Sequence, residues 1–266
     1  MQPVFMNLTL AFIAGFCASA CSNNDSVALV DAPKDPTPAE KAQFEASKVD
    51  RREAETFGGE IEPAQITANG ATLASLTREG GKWIGRSDYR SLQPGMTTLN
   101  GRYIFTNSGQ SEPETIRSYQ GFRSGALVTY ATAHGKLGHV STYGVDTPVA
   151  SFPGAGQATY RGVAFDMTEQ GTLTYHVDFA AKNGHGQIDG LSRHGTITLA
   201  NAPIKVETQS GKSDYIGRGT ANSAKGSRFD YQVGFYGHQA EEIAGFARSA
   251  QQETVGFHGT RGAITE

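Results

Sequence analysis

Apolar and polar residues alternate with a period of two through most of this chain. Leu173, Tyr175, Val177 and Phe179 fall on one face, with Thr174, His176 and Asp178 on the other. Phe229, Tyr231, Val233 and Phe235 alternate in the same way with Asp230, Gln232 and Gly234. Such alternation marks strands with one buried face. Further strands are predicted at 158–165, 186–192, 195–200, 214–221, 242–248 and 254–260. Turn chemistry such as Asn183-Gly184 separates them. Evenly spaced antiparallel strands joined by tight turns predict an eight-stranded up-and-down barrel, which leaves no sheet edge open to aggregation. A β-sandwich fits the same alternation.

The preceding segment, 58–153, is also strand-rich but less regular. Asn100-Gly101 is predicted to join 97–99 to 102–106 as a hairpin, and 126–132 is predicted to pair with 139–143 around His134–Gly138. The run Ser151-Phe-Pro-Gly-Ala-Gly156 is the natural boundary between the two halves.

The amino-terminal region follows other rules. Residues 1–21 carry no Asp, Glu, Lys or Arg, and Leu8–Phe16 is apolar apart from Thr9. That stretch is shorter than the roughly 20 residues a bilayer span requires, and it fits the hydrophobic part of a signal peptide. Ala18-Ser19-Ala20-Cys21 resembles a bacterial lipobox, in which lipid is attached to the cysteine after cleavage just before it. A plain secretory signal cut after Ala20 is the alternative. Beyond it, Thr37-Pro38-Ala39-Glu40 forms a capping box with proline at the first helical position, and Gly58-Gly59 supplies a stop. The apolar stripe of this helix is thin (Ala42, Phe44, Ala46, Val49), which predicts a solvated spacer some 30 Å long at most.

The organisation expected is therefore all-β: a signal peptide over 1–20, a lipidated helical and polar tether over 21–57, a smaller β domain over 58–153 and a barrel over 154–266. Charge sharpens this division. Residues 22–57 hold five basic and eight acidic residues, the whole formal net charge of −3, and 58–266 carries 18 of each sign. A neutral body excludes electrostatic capture of nucleic acid. The two cysteines, Cys17 in the leader and Cys21 at the lipidation position, exclude a disulfide framework. Glycine, 33 of 266 residues, exceeds the usual share of roughly 7% and is consumed by turns and tight bends of the β body.

Catalytic motifs are absent. Gly211-Lys212-Ser213 lacks the upstream glycine of a phosphate loop, where Val206 stands, and no Gly-x-Ser-x-Gly or His-Glu-x-x-His occurs. Glu241-Glu242 lie side by side on a strand and point to opposite faces.

Several segments resemble a known family. Gln157–Phe165, Gly171–Lys182, Gly184–Ile188 and Val233–Gly245 (Val-Gly-Phe-Tyr-Gly-His-Gln-Ala-Glu-Glu-Ile-Ala-Gly) are similar to the barrel of factor H binding proteins, and to that of transferrin-binding lipoproteins and hemophilins. The resemblance covers about 155–266. It implies an eight-stranded barrel, a variable amino-terminal β domain and lipid-anchored display on the outer membrane surface. It also implies non-catalytic binding of a host protein such as a complement regulator or an iron carrier. The acidic positions through which factor H binders hold their partner fall on Ser227 and Arg248, neither of them acidic. Factor H and a different host ligand therefore both stay open as partners.

Two further groups are candidates for binding. His134 and His139 flank the tip of a predicted hairpin beside Tyr130 and Tyr143, and hemophilin-like members of the family bind haem. No cofactor is expected otherwise. The remaining histidines, His176, His185, His194, His238 and His258, read as solvated. Trp83, Tyr89, Tyr103, Phe105, Tyr119 and Phe122 form an aromatic set in which any exposed member is an interface candidate.

Overall fold

In a computed structural model, residues 28–53, 62–131, 140–209, 212–251 and 253–266 are described. A short strand, β1 (Ala28–Val30), precedes helix α1 (Pro38–Ser47). The capping box forms as the sequence predicts: Glu40 N–H donates to Thr37 Oγ1 at 3.3 Å, and Thr37 N–H donates to Glu40 Oε2 at 2.8 Å. The helix is not a spacer, however, and it ends at Ser47, well before Gly58. Phe44 is buried and its ring stacks on Tyr143 with 6.2 Å between centroids. The chain then runs directly into β2 (Val49–Glu53), which pairs in a sheet. One aromatic residue with a place to bury is enough to dock this helix on the body.

Strands β3 (Ala64–Ala68), β4 (Ala71–Glu79), β5 (Lys82–Asp88), β6 (Gly95–Phe105), β7 (Ser111–Gln120), β8 (Ser124–Ala131) and β9 (Val140–Gly144) complete an eight-stranded antiparallel sheet in the order β2-β5-β4-β3-β6-β7-β8-β9. The β8–β9 hairpin forms as expected. The hairpin predicted at Asn100-Gly101 does not, because both residues lie inside the continuous strand β6, opposite Thr115 and Glu114. A Cβ at Gly101 would overlap the Thr67 carbonyl oxygen and approach Ile116 Cδ1 to 2.8 Å. Here glycine serves close packing rather than a turn. The tight turns of this sheet are Asn69-Gly70 and Gly80-Gly81, each with positive φ at both residues. The sheet curls around Ile66, Leu73, Tyr89, Leu92, Ile116 and Leu127.

After a 3-10 turn at Val149–Ser151, the chain forms β10 (Gln157–Phe165), β11 (Gln170–Asp178), β12 (Asn183–Asp189), β13 (Ile197–Gln209), β14 (Lys212–Ser223), β15 (Arg228–Tyr236), β16 (Glu242–Ser249) and β17 (Thr254–Arg261). Each strand pairs with the next, and β10 also pairs with β17 from Tyr160↔Arg261 to Phe165↔Gly256, which closes the barrel and excludes the sandwich. Strand β18 (Ile264–Thr265) extends one rim and pairs with β1. The turn expected at Asn183-Gly184 lies earlier: Lys182 takes a φ of 50°, and Asn183 already pairs with Asp178. The interior is filled by side chains, among them Tyr160, Tyr175, Phe179, Phe229 and Phe257. Phe152, from the linking segment, stacks on Tyr215 at 3.9 Å and meets Phe179 edge-on.

The outer face of β7–β9 packs on the outer face of β10, β16 and β17. Ala126, Val128, Phe165, Tyr236 and Ala244 form the apolar centre of this junction. Arg117 crosses it, donating from Nη1 to the carbonyls of Asp166 at 2.6 Å and Glu169 at 2.8 Å.

Candidate functional site

The junction holds a buried polar cluster built on Glu242. This residue occupies an outward position of β16, where the curled sheet covers it, and its relative exposure is 0%. Glu242 accepts hydrogen bonds from Phe122 N (3.0 Å), Arg123 N (2.9 Å), Ser124 Oγ (2.9 Å) and His258 Nε2 (3.0 Å). Burial pushes its carboxyl up, but His258, the Arg123 amide and Ser124 outweigh burial and hold it below the usual carboxylate range. Ser124 and His258 both address the same oxygen, Oε2, so the histidine does not take the serine proton. The cluster is a clamp, not a nucleophile and its base.

The clamped turn, Gly121–Ser124, joins β7 to β8. A Cβ at Gly121 would overlap the His258 ring and stand 2.8 Å from Glu242 Oε2, so glycine is needed for the approach. Arg123 points inward and donates from Nη2 to the Lys34 carbonyl (3.0 Å) and to Glu40 (3.3 Å), tying α1 to the same cluster. Phe122 points outward and is 56% exposed. The aromatic set of the sequence is therefore divided. Tyr89 and Phe105 are core, Tyr119 lies over His258 at 5.1 Å, and Phe122 alone is strongly exposed.

Two of the histidines read as solvated are buried: His258 in this clamp, and His194, whose Nε2 lies 3.5 Å from Asp166 Oδ2. Each is paired with a carboxylate from elsewhere in the chain, which the local sequence does not reveal. Burial pushes Asp166 up, yet His194 and the amides of Thr168 and Glu169 more than offset this and hold its carboxyl far below the usual range. His176, His185 and His238 are exposed. Glu241 lies outside β16, which begins at Glu242, and accepts from Gln239 N at 2.7 Å.

Ser227 and Arg248 come together at one barrel rim, lining a depression with Lys225, Arg228, Asp230 and Gln251. Cations outnumber carboxylates there. A second cleft of about 280 Å³, between β2 and β9 on one side and β14 and β15 on the other, is lined by Asp50, Arg52, Asp146, Lys212, Asp214 and Tyr236. Burial first, and Asp214 beside it, push the Asp146 carboxyl up to about 6. Among the described residues, no group of three or more His, Cys, Asp or Glu side chains is placed to hold a metal. Cys21, His134 and His139 lie outside the described residues.

Residues 150–247 match the family model described as factor H binding protein, C-terminal. The match runs from the linking segment into β16. Among solved structures, a point mutant of transferrin binding protein B from Haemophilus parasuis Hp5 is similar at 15% identity and a TM-score of 0.43, over 80% of this chain and 45% of that one. Intact Ap-TbpB, with its N and C lobes, is similar at 14% identity and a TM-score of 0.42, over 77% and 46%. A point mutant of transferrin binding protein B from Actinobacillus pleuropneumoniae H49 gives 15%, a TM-score of 0.37, and 81% and 99%. The chain thus spans less than half the length of the first two. The segment Val233–Gly245 lies within the matched residues, and through Glu242 it also supplies the clamp on the preceding sheet.

Proposed function

We propose that this protein is a surface-displayed lipoprotein that binds a host protein non-catalytically, through the outer surface of its two β units. The observation that carries this reading is the family match of residues 150–247. The filled barrel interior supports it, because contacts with a ligand then fall on the outside. Phe122 is the favoured anchor: a large apolar side chain on a turn that Glu242 holds rigid, so little ordering cost accompanies its burial by a partner. Arg248 at the cationic rim argues against a factor H-type acidic contact and favours another complement regulator or an iron carrier. Cys21 would carry the lipid, with the folded body, which includes α1 and β2, held at the outer membrane surface.

The test is retention of a host serum protein by the mature chain, compared with Phe122→Ala. A retained protein whose recovery drops with the variant supports the reading. A folded chain that retains nothing from serum overturns it in favour of a structural envelope role. A Soret shift with haemin, lost in a His134→Ala/His139→Ala double variant, would instead favour the haem-capturing alternative. Replacement of Cys21 by Ala is expected to release the protein from membranes, and persistent association would refute the anchor.

A further inference from the structure

We propose that the outer face of the barrel carries an oxyanion site, formed by Arg161, His176 and His185, that takes a sulfate or phosphate group and strengthens as the pH falls. Thr159, His176 and His185 stand in direct register across β10, β11 and β12, and Arg161 is the diagonal neighbour of His176. The two imidazole rings lie 5.2 Å apart, and His176 Nδ1 is fixed by Thr159 Oγ1 at 2.9 Å. These residues line a concavity of about 570 Å³.

Its charge balance favours an anion. Several exposed cations have acid partners: Arg51 and Arg86 on Glu79, Lys82 on Glu53, Arg90 on Asp88 and Arg218 on Glu207. Arg161 has none among the described residues. The carboxylate in the concavity, Asp178, accepts the Ala181 amide at 2.8 Å within its own turn. Arg261 also lines the wall; it is 3% exposed, and its buried Nε has no hydrogen-bond partner. Burial, then His185 and then Arg161, lower the basicity of His176. Two guanidinium groups beside two imidazoles suit a compact dianion, held through charge-assisted hydrogen bonds. Protonation of the histidines supplies the added charge in acid.

The site does not depend on the host-protein reading, and sulfate titration of the mature chain tests it. Sulfate remains a dianion throughout, so any pH dependence reports the protein. The readout is the ring-proton NMR shift of His176 and His185 at constant ionic strength. We expect saturable binding about ten-fold tighter at about pH 5.5 than at about pH 7.5, and by linkage a raised His176 basicity in sulfate. Arg161→Gln should weaken binding at both pH values, and His176→Asn with His185→Asn should remove the pH dependence. A sulfated monosaccharide binding more tightly than the free ion assigns the site to a glycan ester, and equal affinity assigns it to the free ion. Shifts that do not saturate, that match at the two pH values, or that chloride reproduces overturn the proposal.

Discussion

His258 Nε2 on β17 and Glu242 Oε2 on β16 stand 3.0 Å apart on the outer wall of the barrel, sealed beneath a turn of the neighbouring sheet. The same carboxylate takes two backbone amides and a hydroxyl from that turn. One acidic residue of the barrel thereby ties the preceding unit to it, and through Arg123 helix α1 as well.

Removing this carboxylate should uncouple the two units. Glu242→Ala leaves the Phe122 and Arg123 amides and His258 buried without an acceptor, and is expected to cost about 3–5 kcal/mol. Glu242→Gln retains one acceptor oxygen and should cost roughly 1–3 kcal/mol. Urea unfolding followed at Trp83, which lies on the curled sheet, is the measurement. The pH dependence has a definite sign. The folded carboxyl is held below its ordinary value of 4.5, so its contribution is present above that pH and is lost as the pH falls through the lower folded value. Equal stability of Glu242→Ala and the parent would show that apolar packing and Arg117 hold the junction without the carboxylate.

Glu114 should act in the opposite sense. It faces the interior of the curled sheet at 2% exposure. Burial pushes its carboxyl up to about 7, with Thr129 opposing and Glu112 adding to the rise. The folded state then binds this proton more tightly than the unfolded state does. Stability is greatest below the ordinary value of 4.5 and falls as the pH rises to about 7. The loss can reach about 3 kcal/mol, from roughly 1.4 kcal/mol per unit. Glu114→Gln should be more stable than the parent at pH 8 (about one unit above the shifted value), and the difference should vanish in acid. Melting temperature against pH for both proteins checks this.

Gly101 separates a packing role from a turn role. Gly101→Ala places a methyl group against the Thr67 carbonyl, a backbone atom held in the β3–β6 ladder, and against Ile116. Overpacking of this kind costs about 1–3 kcal/mol, measured by the shift in denaturation midpoint. A mere hairpin glycine with positive φ would instead tolerate Asn, so Gly101→Asn should be at least as damaging as Gly101→Ala.

That position also shows where local sequence stops being informative. Asn-Gly has the same composition in a turn and in mid-strand, and what decides is whether a backbone from another strand passes within contact distance. The barrel was legible because its determinants are local: period-two alternation at Leu173–Phe179 and Phe229–Phe235 places the same side chains inside in the structure. The clamp was not legible, because Phe122 and Glu242 are 120 residues apart and nothing near either identifies the other. Phe44 was misjudged for a related reason. A helix with a single strong apolar residue looks solvated until Tyr143, from β9, closes over it.

Phe122 offers the most direct test of where a partner docks. Its ring is largely in solvent, and the native turn depends on backbone amides rather than on the side chain. Phe122→Ala should therefore leave stability within about 0.5 kcal/mol of the parent. If the turn anchors a partner, the same change removes a preorganised aromatic contact and should weaken binding by about 2 kcal/mol or more, roughly thirty-fold. Calorimetric unfolding gives the first quantity, and titration of the retained serum protein gives the second. An affinity loss without a stability loss places the interface at the β7–β8 turn. Unchanged affinity moves it to the cationic rim, where Arg248→Glu becomes the decisive variant.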